Sequence, residues 1–241
     1  IVLGGFILED QGYRYKEVTS RQRVNFNTRY KNPKIEGLSY GLNANFLFNK
    51  TASALIWESY ESAYIPLDSS VTKTSGDVYN IDPFITYVNP RSGDKHRLRT
   101  RYMKVINDNE TKNDSNGQDN KSTTYYAEYQ YQKNLEAIGI NWTSGLMNEY
   151  VDAVSELFNG TNYRLNNAIF SQLDKKIGKR INLSLGARYE QFILRTSELY
   201  QIAGDSINYF KAAKPVFRAG VNYQLAEATF LRSSWGQGYR F

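Results

Sequence analysis

Several residue types are scarce or missing in this chain of 241 residues. It has no cysteine, which excludes disulfides, thiolate zinc sites and cysteine nucleophiles. Its one histidine, His96, argues against a His-rich metal site and against a Ser-His-Asp triad. No run of 18 apolar residues occurs, so the sequence predicts no transmembrane helix. We therefore expect no enzyme activity, no bound metal and no cofactor.

The charge balance is mildly basic, with 30 Lys and Arg against 24 Asp and Glu and a net charge of +6. The densest basic segment contains Arg97, Arg99 and Arg101, which alternate and would share one face of a strand. Such a row could line a nucleic-acid groove. The polar side of a strand is the simpler interpretation, and we expect no nucleic-acid partner.

Aromatic residues are abundant, with 20 Tyr, 12 Phe and 3 Trp, although the mean hydropathy is only -0.59. Over most of the chain, apolar and polar residues alternate with a period of two. Segment 38–48, for example, places leucine, tyrosine, alanine and phenylalanine at even positions and mostly serine, glycine and asparagine at odd ones. This alternation is typical of antiparallel strands with one apolar and one polar side.

The pattern predicts an all-β fold of about eleven antiparallel strands. Their expected limits are 1–9, 21–31, 38–59, 80–88, 95–107, 122–132, 137–147, 164–174, 181–194, 215–224 and 228–238. One segment, 147–158, has apolar residues three and four positions apart and is compatible with a short helix.

The predicted connections alternate between short and long. Short ones lie near 32–37, 89–94, 133–136, 175–180 and 225–227, and long polar ones near 60–79, 108–121, 148–163 and 195–213. In an up-and-down sheet this places tight turns at one end and long loops at the other, as in a transmembrane β-barrel of the bacterial outer membrane. Because lipid requires a closed barrel and bacterial barrels have even strand numbers, eleven strands indicate a fragment of a longer protein. We expect residues 1–241 to form a single barrel segment without a separate plug domain.

Three segments near the C-terminus resemble strands of the TonB-dependent outer-membrane receptors. They are LSLGARYE at 183–190, VFRAGVNY at 216–223 and FLRSSWGQGYRF at 230–241. The resemblance implies a barrel of 22 strands around an N-terminal plug that this chain does not contain. It implies uptake of a scarce nutrient, energised by the TonB complex through that plug. Ferric siderophores, haem, cobalamin and oligosaccharides are all substrates of such receptors, and the sequence does not choose among them.

If the apolar face contacts outer-membrane lipid, the polar face lines the lumen. The arginines expected to face a ligand or the plug are Arg97, Arg99, Arg101, Arg188, Arg218 and Arg232. A wall of mutually compensating charges is the alternative interpretation. In the predicted loops, the candidates for recognition of a small molecule or oligosaccharide are Tyr60, Tyr64, Tyr200 and Tyr209, unless these rings belong to an aromatic girdle. The oxygen-rich segment 107–120 lacks EF-hand spacing and is interpreted as a solvated loop.

Two other classes of protein fit the pattern. A soluble all-β binding or adhesion module would pack its apolar strand faces against a second sheet. A small passive porin-like barrel would form a pore without a plug.

Overall fold

A computed structural model of the chain describes residues 1–111, 119–155, 160–202 and 205–238, with the backbone alone at 111, 200–202 and 205. The described residues form one sheet in which each of eleven strands pairs antiparallel with the next in the chain. The expectation of eleven up-and-down strands is therefore confirmed. The strands are β1 (Val2–Asp10), β2 (Val18–Lys31), β3 (Leu38–Ala54), β4 (Val71–Val88), β5 (Lys95–Thr111), β6 (Asn120–Leu135), β7 (Ile140–Ser155), β8 (Gly160–Ile177), β9 (Ile181–Ile202), β10 (Asp205–Ala226) and β11 (Thr229–Gly236).

The short connections lie where the sequence predicts them, at one end of the sheet. They are 32–37, 89–94, 136–139, 178–180 and 227–228. We call this end the turn end and the opposite one the loop end. Gly37, Gly93, Gly139 and Gly178 in these turns have positive φ, which a residue without a Cβ adopts at little cost.

Strands reach much further into the loop end than predicted. Strand β4 begins at Val71, inside the expected loop 60–79, and β9 and β10 extend to Ile202 and Asp205, inside the expected loop 195–213. These extensions are polar, so they lack the apolar alternation that marks a lipid-facing strand. Most of their backbone groups nevertheless pair with the neighbouring strand, which reduces the cost of unpaired donors and acceptors.

The predicted helix at 147–158 is wrong for its described part. Residues 147–155 belong to β7, which pairs with β6 on one side and β8 on the other. Val151, for example, lies opposite Thr124 and Arg164. Two ladders of backbone hydrogen bonds stabilise this segment as a strand. A helix with the observed apolar spacing would be less stable, because an isolated helix of this length is only marginally stable. Residues 156–158 lie outside the described part of the chain.

The register separates the two faces of the sheet. One row runs through Arg29, Gly41, Phe84, Arg99, Glu128, Met147, Ala168, Glu190 and Lys214, and we call its side the lumen face. The adjacent row runs through Tyr30, Tyr40, Ile85, Leu98, Tyr129, Leu146, Ile169, Tyr189 and Pro215, and we call its side the outer face. Polar and apolar residues are thus sorted across the whole sheet, as the alternation predicts.

Two chains of aromatic rings cross the outer face. Near the turn end, His96 lies 6.1 Å from Tyr87 and 5.0 Å from Tyr131, which contacts Trp142 at 5.7 Å. We call this chain the lower girdle.

The upper girdle lies nearer the loop end and consists of Tyr102, Tyr125, Tyr150 and Tyr163, with successive centroids 5.5, 6.3 and 6.3 Å apart. His96 and Tyr102 are six positions apart on β5, which corresponds to about 20 Å along the strand. Two such girdles around a band of about 25 Å are typical of barrels that cross the outer membrane.

The sheet is open, with β1 and β11 at its edges. The described residues place no second sheet on the outer face, so the packing expected of a soluble sandwich is not seen there. No helix in the described ranges is long and apolar enough to cross a membrane.

A pair of neighbouring residues tests the assignment of the two faces. Leu146 lies on the outer face with 55 % of its surface exposed, and Met147, the next residue, lies on the lumen face opposite Glu128. We expect Leu146→Arg to destabilise the folded barrel by about 2–4 kcal/mol, because a guanidinium would then contact lipid near the midplane. Met147→Arg should be nearly neutral. Urea unfolding of the intact protein in liposomes measures both, and equal effects would contradict the assignment.

Two glycines on the lumen face are covered by a phenylalanine ring of the next strand. A Cβ on Gly145 would lie 2.5 Å from Cζ of Phe170, and one on Gly41 would lie 2.7 Å from Cζ of Phe84. The carbonyl oxygens of Tyr129 and Thr28, respectively, lie closer still to these two positions. In both pairs the ring lies directly opposite the glycine in the register, so a side chain of any size would displace it.

Gly145→Ala should therefore destabilise the sheet by about 1–3 kcal/mol, since neither the ring nor the carbonyl can move freely. Gly220→Ala is the matched control. It also lies on the lumen face, but its new Cβ would meet Ser184 at an ordinary 3.9 Å. Unfolding midpoints of the two variants in the same lipid measure the difference, and a Gly145→Ala protein as stable as Gly220→Ala would refute the steric argument.

Candidate functional site

The register gathers the predicted arginines on the lumen face. Arg97, Arg99 and Arg101 follow each other along β5, while Arg188, Arg218 and Arg232 lie on β9, β10 and β11. They share this face because strand residues two positions apart point the same way. They are not equivalent, however, because only some of them meet a carboxylate.

Arg101 makes the best-formed ion pair of the wall. Its Nε and one terminal nitrogen donate to Oδ1 and Oδ2 of Asp82, each at 2.8 Å. The amide of Asn80 donates to the same carboxylate at 3.0 Å. This bidentate geometry fixes the guanidinium in the plane of the carboxylate. The Arg101 side chain is still 48 % exposed, so the pair faces open space and contributes at most about 1 kcal/mol to stability.

Arg99 and Arg188 are also neutralised by the wall itself. Arg99 pairs with Glu128, whose second oxygen accepts a hydrogen bond from the Tyr126 hydroxyl at 2.7 Å. Arg188 pairs with Glu190, which also accepts from the Asn166 amide at 2.5 Å. For these two residues the interpretation as mutually compensating charges is the one that the geometry supports.

The other three predicted arginines form no ion pair with a carboxylate within the described residues. Arg97 is attracted by the charge of Glu128 without a hydrogen bond to it, Arg218 donates to the amide oxygen of Gln172, and Arg232 lies 5.9 Å from the ring of Phe230. All six predicted arginines lie in the half of their strand nearer the turn end. That half of the lumen face therefore carries both arginines paired with carboxylates of the wall and arginines that form no such pair.

The arginine row of β5 borders a cavity of about 1140 Å³ on the lumen face. Asp82, Tyr126 and Glu149 line it together with Arg97, Arg99 and Arg101. The cavity combines cationic, anionic and hydroxyl groups and can therefore accept a polar surface with charges of both signs.

A second cluster lies at the loop end, where segment 11–17 meets loop 55–70. The amide of Tyr15 donates to the carbonyl of Tyr64 at 3.0 Å, and Lys16 forms an ion pair with Asp68. The hydrogen bond that Lys16 donates to the Asp68 carboxylate raises the pKa of Lys16, so this contact is complete at neutral pH and is lost only as the pH rises past that pKa. Two loops distant in the sequence are thereby held side by side.

Exposed aromatic rings cover this loop cluster. Tyr60 and Tyr64 lie in loop 55–70, as predicted, with 97 % and 66 % of their surfaces exposed. The Arg14 guanidinium lies 4.8 Å from the ring of Trp57. Rings and cations presented together suit ligands with a flat face and polar edges.

The other two predicted loop tyrosines lie in strands. Tyr200 belongs to β9, and its side chain lies outside the described part of the molecule. Tyr209 belongs to β10, where it lies opposite Arg195 on the outer face. The loop assignment failed for both because pairing between β9 and β10 continues past the membrane band. Half of the segment 107–120, namely 112–118, lies outside the described residues.

Segment 11–17 is the part of the loop cluster that sequence reasoning missed. Tyr13, Arg14, Tyr15 and Lys16 alternate aromatic and basic residues between two strands. This short run was the available signal, but only the contacts with Trp57, Tyr64 and Asp68 join it to the longer loop.

Comparison with known proteins agrees with this geometry. The family described as TonB dependent receptor-like, beta-barrel matches residues 4–241. No curated protein matches the chain. The family is one of outer-membrane receptors and transporters rather than enzymes. The match spans nearly the whole sheet and includes the strands whose motifs carry the resemblance, so this chain belongs to the TonB-dependent receptor-like β-barrel family.

Proposed function

We propose that this chain forms part of the barrel wall of a longer outer-membrane receptor that takes up a scarce nutrient. The remaining strands would complete a barrel of 22, and a plug domain from the same receptor would occupy the lumen and couple it to the TonB complex. The observation that carries the proposal is that the lumen face holds arginines paired with carboxylates of the wall beside arginines that form no such pair.

The unneutralised arginines favour a protein surface as their partner. Arg97, Arg218 and Arg232 lie on three different strands, so the cations are spread over the wall rather than gathered around one small ligand. A folded plug with acidic side chains would meet several of them at once. Bidentate contacts between guanidinium and carboxylate would then fix its orientation.

The loop cluster is the proposed place of first contact with the nutrient. It lies at the end that faces the outside in outer-membrane barrels, and its rings are held by contacts between two loops. Such a surface suits a sugar ring or an aromatic chelate. We therefore expect a small molecule or an oligosaccharide, and the candidate substrates remain siderophores, haem, cobalamin and oligosaccharides.

Uptake tests the energised mechanism directly. Each of the four substrate classes would be supplied individually, at limiting concentration, to a strain that depends on the intact receptor. The strain should accumulate one of them, and this uptake should stop when the TonB complex is deleted. Tyr60→Ala combined with Tyr64→Ala should raise the half-saturating concentration by about 2–10-fold for each ring removed. Leu55→Ala, at a non-aromatic residue of the same loop that is 91 % exposed, is the control. Uptake that persists without TonB would instead support the passive porin-like pore.

Plug docking can be measured without knowing the nutrient. In a planar bilayer, urea should release the plug of the intact receptor and open an ion-conducting pore. Arg97→Gln should lower the free energy of plug release by about 1.5–3 kcal/mol, because a charge-assisted hydrogen bond is lost. Arg97→Lys should retain part of this free energy, because the positive charge is kept. Lys104→Gln, at an outer-face cation of the same strand, should change nothing. An unchanged urea midpoint for Arg97→Gln would reject the role of this residue in docking.

A further inference from the structure

The pairing of β9 and β10 breaks near the loop end. Arg195 lies opposite Tyr209, yet the next pair in the register is Tyr200 with Ile207. Strand β9 therefore carries several extra residues, 196–199, where β10 has only Asn208. Such a bulge bends its strand and opens the surface beside it.

A groove of about 910 Å³ occupies this position on the outer face. Its floor consists of Leu165 and Ile193, and the rings of Tyr150, Tyr163 and Tyr209 border it. Tyr150 and Tyr163 are the last two rings of the upper girdle. The groove thus lies at the boundary between the lipid band and the polar loop end, with an apolar floor and hydroxyl groups at its rim.

One cation lines this groove and a second lies beside it. Arg195 lines it and lies 5.3 Å from the ring of Tyr209. Lys211 is two positions from Tyr209 on β10 and lies opposite Ile193. Arg195 and Lys211 are therefore diagonal neighbours on one face, with Cβ atoms about 7–8 Å apart.

Neither cation has a carboxylate partner in the parts of β9, β10 and their neighbours that the structure describes. Asp152 shares the register row of Arg195 but lies on β7, two strands away or about 9–10 Å. Two like charges side by side repel each other, and more strongly next to lipid than in water. An anion between them would remove this repulsion.

We propose that Arg195 and Lys211 bind the phosphate group of a lipid in the outer leaflet, whose acyl chain lies along Leu165 and Ile193. The guanidinium offers two parallel donors to a phosphate, and the ammonium adds a point charge. The tyrosine hydroxyls lie at headgroup depth, where interfacial aromatic residues are commonly found.

A lipid fits this site better than a soluble anion does. The groove opens on the outer face, in line with the side chains of the lipid band, rather than on the lumen face through which a nutrient would pass. Its floor is apolar, and only one end carries charge. This combination matches a molecule with a charged head and a hydrocarbon tail, independently of the uptake proposed above.

Native mass spectrometry of the intact receptor tests the site. The receptor would be released from nanodiscs of phosphatidylcholine doped with lipid A, and the fraction that retains lipid A would be measured. Arg195→Gln combined with Lys211→Gln should lower the apparent affinity for lipid A by about 30-fold, because the loss of each cation accounts for roughly a fivefold decrease. Lys50→Gln, at an exposed outer-face cation of β3 without an aromatic groove, should leave it unchanged.

Three results would overturn the proposal. The first is unchanged retention in the double variant, provided that its heat-modifiable migration on a gel shows a folded barrel. The second is an equal loss in Lys50→Gln, which would indicate general surface charge. The third is full displacement of lipid A by millimolar inorganic phosphate, which would indicate a site for free anions. Retention of lipid A by Arg195→Lys together with its loss in Arg195→Gln would support the assigned charge contact.

Discussion

The need to pair every backbone donor and acceptor in lipid governs this structure. Hydrocarbon offers no hydrogen bonds, so a strand that crosses it must be paired on both sides. The sheet meets this need because each interior strand, from β2 to β10, pairs with a neighbour on both sides. Pairing on both sides is also seen for segment 147–155, which is a strand despite its helix-compatible spacing.

Continuous pairing produces the two faces on which function depends. Because side chains alternate, one register row can carry Leu98 and Leu146 toward lipid while the next carries Arg99 and Glu128 toward the lumen. The mean hydropathy of -0.59 averages these two environments and the polar loop end. A value typical of a soluble protein is therefore compatible with a membrane-spanning sheet.

The distribution of charge partners distinguishes arginines that their positions in the sequence alone do not. Arg99, Arg101 and Arg188 are neutralised by carboxylates of the wall, whereas Arg97 and Arg218 are not. On the outer face, Arg195 and Lys211 lie together beside an aromatic groove. The first contrast underlies the proposed plug contact, and the second underlies the proposed lipid site. Both proposals depend on which residues the register brings together across strands.

The amino-acid sequence by itself determined the strand number, the turn end and the sorting of residues between two faces, because these follow from local alternation and turn residues. It also supplied the motifs at 183–190 and 230–241 that identify the family. Only the tertiary structure decided which arginines find carboxylates, since the partners Asp82 and Arg101 are distant in the sequence. It likewise decided that Tyr209 lies on a strand and that Tyr15 and Tyr64 share one loop cluster. The alternation and the turns constrain the cross-strand register, but which side chains meet is decided only when the strands pair, because a slip of one residue would reverse the two faces.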